Sequence, residues 1–121
     1  SRGASTATFI EIDHDAINKI YDNINHLKVD DLCKVLRLDG RRLPAAYKKF
    51  NLIFMDAPYN KELTEKALKE LVEKEWIAPN SLIVIEVSAN ENFSLPPSFI
   101  FLNERRIGLA QVYLARFLLL Q

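Results

Sequence analysis

The run Asn51-Leu52-Ile53-Phe54-Met55-Asp56-Ala57-Pro58-Tyr59 carries an apolar strand into an acid and then straight into a Pro-Tyr turn. That order sets a carboxylate at Asp56, a backbone carbonyl at Ala57 and an aromatic face at Tyr59 around one strand end. The set suits an amino group on a flat base. Asp56 and the Ala57 carbonyl each accept one N–H bond, which turns the nitrogen lone pair toward an electrophile, while Tyr59 stacks on the ring. The same residues also read as a buried strand ending in an ordinary turn, since Asp and Pro favour turns for local backbone reasons.

Positioning such a turn requires alternating strands and helices. Ala7 to Ile12 is a short apolar strand, and Asp13 or Asp15 can cap a helix that carries Ile17, Ile20, Tyr21, Ile24 and Leu27 at helical spacing. Cys33 to Leu38 alternates as a strand and stops at Asp39-Gly40. Phe50 to Met55 is more continuously apolar, the pattern of a strand covered on both faces. From about Lys61 to Glu75 a helix places Leu63, Ala67, Leu68, Leu71 and Val72 on one side. Pro79-Asn80 reads as a turn into a strand from Ser81 to Val87. Pro96-Pro97 then precedes a pair of strands, Phe99 to Asn103 and about Ala110 to Leu119, with Gly108 in their connection, so an antiparallel hairpin is expected. The final Phe117-Leu118-Leu119-Leu120 belongs to the end of that sheet.

This order predicts an α/β fold with a mainly parallel, doubly wound sheet closed by an antiparallel hairpin. Three expected strands then end in acids: Glu11 with Asp13, Asp39, and Asp56. Acids at successive carboxyl ends line the edge of the sheet where ligands bind, and a ribose hydroxyl or an adenine amine needs acceptors there. Singly, each is a common cap or turn residue.

Composition bounds the remaining possibilities. The 121 residues, 49% hydrophobic and 26% charged, suit one compact domain spanning 1–121. Lys plus Arg equals Asp plus Glu at 16 each, so any nucleic-acid contact must come from local basic patches. Arg41-Arg42, Lys48-Lys49 and Arg105-Arg106 are such pairs, and each can meet phosphates or simply be solvated surface, the reading favoured for Lys48-Lys49. The one cysteine, Cys33, cannot form an internal disulfide and reads as a small buried side chain at a strand start, in a reducing, cytoplasmic setting. His14 and His26 lie near the two ends of the first helix without Cys or His partners at ligand spacing, so no metal site is expected. No apolar run reaches the roughly 20 residues of a membrane span.

Five segments resemble one known family in their order and spacing. They are Ser1-Arg2-Gly3-Ala4, Phe9-Ile10-Glu11-Ile12-Asp13-His14-Asp15-Ala16-Ile17, Asp56-Ala57-Pro58-Tyr59-Asn60-Lys61, Trp76-Ile77-Ala78-Pro79 and Glu104-Arg105-Arg106-Ile107-Gly108. Together they resemble the RsmD-type bacterial 16S rRNA guanine-N2 methyltransferases over essentially the whole chain. The resemblance implies a class I, Rossmann-like methyltransferase sheet and S-adenosylmethionine as cofactor. It also implies methyl transfer to the exocyclic amine of a guanine in 16S rRNA of the small ribosomal subunit. By the same resemblance Glu11 holds the cofactor ribose with Asp13 nearby, Asp39 lies against the adenine, and Asp56 to Tyr59 hold the target base. Arg105 and Arg106 fall in a family segment, and Arg41 and Arg42 are further RNA candidates.

Two departures are visible. The family's motif has Asp-Pro-Pro-Tyr or Asp-Pro-Pro-Phe, and Ala57 at its second position keeps the carbonyl but loosens the loop. The family's first strand, its Gly-rich cofactor loop and most of the first helix have no counterpart, because the match begins where that helix ends. The strands ending at Glu11 and Asp56 are therefore expected to pair directly, to be bridged by another chain, or to belong to a fragment, and open sheet edges favour a homo-oligomer. An inert fragment that binds no cofactor and an adenine-N6 methyltransferase are the alternative functions.

Overall fold

The computed structural model describes residues 4–56, 61–88 and 94–118. Its elements run β1 (Ala7–Glu11), α1 (His14–Leu27), a short 3-10 turn (Asp30–Leu32), β2 (Cys33–Arg37), β3 (Phe50–Asp56), α2 (Lys61–Glu73), β4 (Ile77–Ser88), β5 (Phe99–Ile107) and β6 (Ala110–Phe117). They fall into two compact units, Ser1–Arg42 and Leu43–Gln121, described separately below.

In the first unit β1 and β2 pair in parallel from Ala7 opposite Cys33 to Glu11 opposite Arg37. The intervening α1 begins where Asp13 caps it, its carboxylate accepting the Ala16 N–H at 2.9 Å. Its end is closed by Lys28 in the left-handed region, where the Val29 N–H bonds back to Ile24 O and the Lys28 N–H to Asn25 O. That pair of bonds satisfies carbonyls the helix would otherwise leave open. Ile17 and Ile24, seven residues apart on one stripe, are its buried residues.

The second unit holds a four-stranded sheet in the order β3-β4-β6-β5, with β3 and β4 parallel and the other pairs antiparallel. Ile83, Ile85 and Val87 alternate along β4 onto one buried face, and Ala115 and Phe117 of β6 and Phe99 of β5 are buried too. Helix α2, which contacts β4, buries Leu68 and Leu71. Thr64 is buried with them, whereas Ala67 and Val72 are only half-buried; Leu63, also expected there, lies outside the described side chains. Trp76 ends this helix-to-strand connection, donating its indole N–H to Pro44 O at 2.9 Å and stacking on Phe50.

Three expectations need correction. Pro79-Asn80 does not precede the strand but lies inside β4, where Asn80 takes φ 63 and the pairing with β3 slips. A bulge, unlike a turn, lets a strand absorb a proline and a left-handed residue without ending. Phe50 to Met55 reads as a strand covered on both faces, yet no residue of β3 is fully buried and Phe54 is 71% exposed. The reason is one of cover: among the described residues the second unit has one helix, α2, which can cover one face of its sheet, and β3 is an edge strand paired with β4 alone. Cys33, at the start of β2, is half-buried rather than buried. The closing hairpin forms as expected, with Gly108 at φ 58 in its turn and β5 extending to Ile107.

Candidate cofactor and base sites

The first unit gathers Glu11 and Asp39 at the carboxyl end of its parallel pair. β1 ends at Glu11, and the Leu38 N–H donates to Glu11 O at 3.1 Å just beyond β2, two residues before Gly40. Neighbouring strands lie about 4.8 Å apart, so both acids stand at one strand end. Glu11 is half-buried, and among the described residues no hydrogen bond engages its carboxylate. Asp13 is differently employed, as the cap of α1.

Asp39 is held by Arg41. Its Oδ1 accepts the Arg41 backbone N–H at 2.9 Å and Nε at 3.0 Å; its Oδ2 accepts the terminal nitrogen at 2.7 Å and Nε at 3.2 Å. The Arg41 side chain, then its backbone N–H, lowers the Asp39 pKa to about 2. A carboxylate has about four lone-pair sites, and this fork uses them. Arg41 is thereby committed to Asp39, and the Arg42 N–H donates to Asp39 O at 2.9 Å.

In the second unit Asp56 is the last residue of β3 and is exposed. Ala57, Pro58 and Tyr59, expected to complete the base site, lie outside the described residues. The sheet register runs from Asp56 to Glu86, then Val112, then Arg105, one residue from each strand on one face. Three strand spacings put Arg105 about 14 Å from Asp56. Arg106 follows it and points to the other face by strand alternation. Glu86 was not among the sequence candidates. Its signal was present nonetheless, as the one charge within Leu82-Ile83-Val84-Ile85-Glu86-Val87, ending in register with Asp56.

Lys48 and Lys49 belong to the opposite end of β3. The Lys48 ammonium lies 5.2 Å from the Phe50 ring centroid, and Lys49 reaches Glu75 at 3.9 Å. The length of β3, about 20 Å, separates them from Asp56. Among the described residues no group of three His, Cys, Asp or Glu side chains is placed to share a metal ion, and no helix is long and apolar enough to cross a membrane.

The chain is similar to ribosomal RNA small subunit methyltransferase D of Haemophilus influenzae, at 29% identity over 90% of this chain and 58% of that relative. It thus spans little more than half the relative's length. A solved structure from Escherichia coli, named a putative methyltransferase, superposes with TM-score 0.85 at 25% identity, covering 98% of this chain and 66% of that one. An N-methyltransferase of Bradyrhizobium japonicum, solved with S-adenosyl-L-homocysteine, shares the fold at 11% identity, with TM-score 0.69 over 93% of this chain and 66% of that one. The architecture is therefore that of class I methyltransferases, with two parallel strand pairs and an antiparallel closing hairpin. The profile of one family matches residues 1–116, and the chain belongs to that family, described as conserved hypothetical protein 95, which is the RsmD-type methyltransferase family.

Proposed function

We propose that this chain carries part of the machinery for S-adenosylmethionine-dependent methyl transfer to the exocyclic N2 amine of a guanine in 16S rRNA. The observation that carries the reading is the placement of acids at the carboxyl ends of parallel strands, Glu11 closing β1 and Asp56 closing β3. Family membership supplies the reaction class, and the names of the relatives supply rRNA.

The residues fit the cofactor unequally. Glu11, half-buried and not engaged among the described residues, suits the ribose hydroxyls, which need an acceptor. Asp39 suits the adenine amine once Arg41 turns away, because the fork occupies its acceptor sites. Asp13 supports the site indirectly by fixing the start of α1 next to Glu11. When bound, the cofactor supplies a sulfonium methyl group as the electrophile.

Asp56 orients rather than ionises. Its carboxylate accepts one N–H of the guanine amine, and the Ala57 carbonyl accepts the other, leaving the nitrogen lone pair directed at the methyl carbon. With the cofactor bound, the orientation given by Asp56 would aim the amine at the sulfonium methyl group, and the excess proton of the methylated amine would leave to solvent. Most of the rate advantage is positional, so no strong base is required.

The test is incubation with S-adenosylmethionine and small-subunit rRNA, followed by nucleoside analysis. N2-methylguanosine is the expected product. N6-methyladenosine would assign the adenine alternative, and folded protein that transfers no methyl group would be an inert fragment.

A further inference from the structure

The hairpin joining β5 and β6 turns at the same end of the second unit's sheet as Asp56, since Ala110 opens β6 opposite Ser88 at the end of β4. Its connection is two residues long, Gly108 and Leu109, between Ile107 and Ala110. Gly108 takes φ 58, and the Arg106 Nε donates to Gly108 O at 3.4 Å. That bond braces the turn from its own strand. Leu109 at the tip is 87% exposed and Ile107 beside it 59%. An exposed leucine alone needs no explanation. Here it tops a braced turn with Arg105 and Arg106 directed to opposite faces immediately behind it.

Resting on the RNA-substrate reading above, we propose that Leu109 is a wedge that enters the stacked RNA strand beside the nucleotide presented to Asp56. The chemistry matches in both parts. Apolar side chains inserted between base steps unstack them, at a cost of a few kcal/mol per step that backbone contacts offset. Arg105 and Arg106 supply such contacts on either side, and phosphate is the ligand that a guanidinium on each flank of an apolar tip recognises. Acids stand on both faces of this sheet end: Glu86 and Asp56 lie two and three strands from Arg105 on its face, and Glu104, opposite Tyr113, lies on the face of Arg106. An enzyme that modifies a base takes it out of the stack, and the tip lies at the same end of the sheet as Asp56.

The experiment uses the whole chain and an RNA stem-loop carrying 2-aminopurine, which brightens when unstacked. Wild-type protein is expected to bind and to brighten the probe. Leu109→Ser, a change at an exposed position, is expected to keep most of the affinity and to lose most of the brightening. Arg105→Ala with Arg106→Ala is expected to weaken binding about tenfold and to reduce its salt dependence. Equal brightening by Leu109→Ser, or wild-type binding without brightening, overturns the wedge alone. No binding to RNA overturns the wedge and the RNA reading together, and Leu109-dependent binding to phosphatidylglycerol vesicles in its place would assign the tip to a lipid surface.

Discussion

The two units invest their residues differently. The second buries Leu68, Ile83, Ile85 and Ala115 completely beneath one helix and four strands. In the first, a two-stranded sheet and one helix bury Ile17 and Ile24. Two strands and a helix are near the lower limit for independent stability. The first unit also carries the acids suited to a cofactor, with a polar cap and a polar fork as its most specific contacts. Burial is therefore concentrated in the second unit, and the first, where we propose that the cofactor binds, is the part such a ligand would order most.

Core truncation should show this contrast most strongly. Ile85→Ala is expected to cost about 3 kcal/mol by urea unfolding, from lost burial and the cavity left behind. Ile24→Ala should cost less than half of that in the global transition, as its helix opens separately. Equal losses would mean that the two units unfold as one. Trp76→Phe, which removes the bond to Pro44 while leaving a ring against Phe50, is expected to cost about 1 kcal/mol. Asp13→Ala should cost a similar amount, about 1 kcal/mol, but confined to α1 and read as faster amide exchange in its first turn.

The smallest effect is a pH dependence. The fold lowers the Asp39 carboxyl to about 2 through Arg41, against about 3.9 in an unfolded chain. The contribution of the pair is thus complete above the unfolded value and lost as pH falls toward 2. Both side chains are well exposed, so the effect on stability should be slight. Asp39 carboxyl shifts followed by NMR are expected to titrate near 2, and to return toward 4 in Arg41→Ala.

Most of this fold was legible because its signals are local. Asp13 before a helical stripe, the apolar run ending at Asp56 and Gly108 in the hairpin each act within a few residues. What escaped depends on contacts distant in sequence. The Pro79-Asn80 bulge resembles a turn until β3 is found paired across it. The exposure of Phe54 follows from the second unit having one helix to cover one face of its sheet, a property of the whole unit. At the site, strand-end acids could be read directly, whereas Glu86 acquires meaning only through its register with Asp56. The Arg41 fork was concealed differently: Arg41 is two residues from Asp39, but an arginine there can equally face solvent or phosphate.

The central claim is that the first unit receives the cofactor while Asp56 of the second serves the base. It is tested most directly by residue-resolved hydrogen exchange during titration with S-adenosylmethionine, in the wild-type chain and in Asp56→Ala. The expected result is saturable protection around Glu11 to Asp13 and Leu38 to Arg42, abolished by Glu11→Ala and unchanged by Asp56→Ala. Absence of protection in folded protein, or protection that disappears with Asp56 rather than with Glu11, would contradict it.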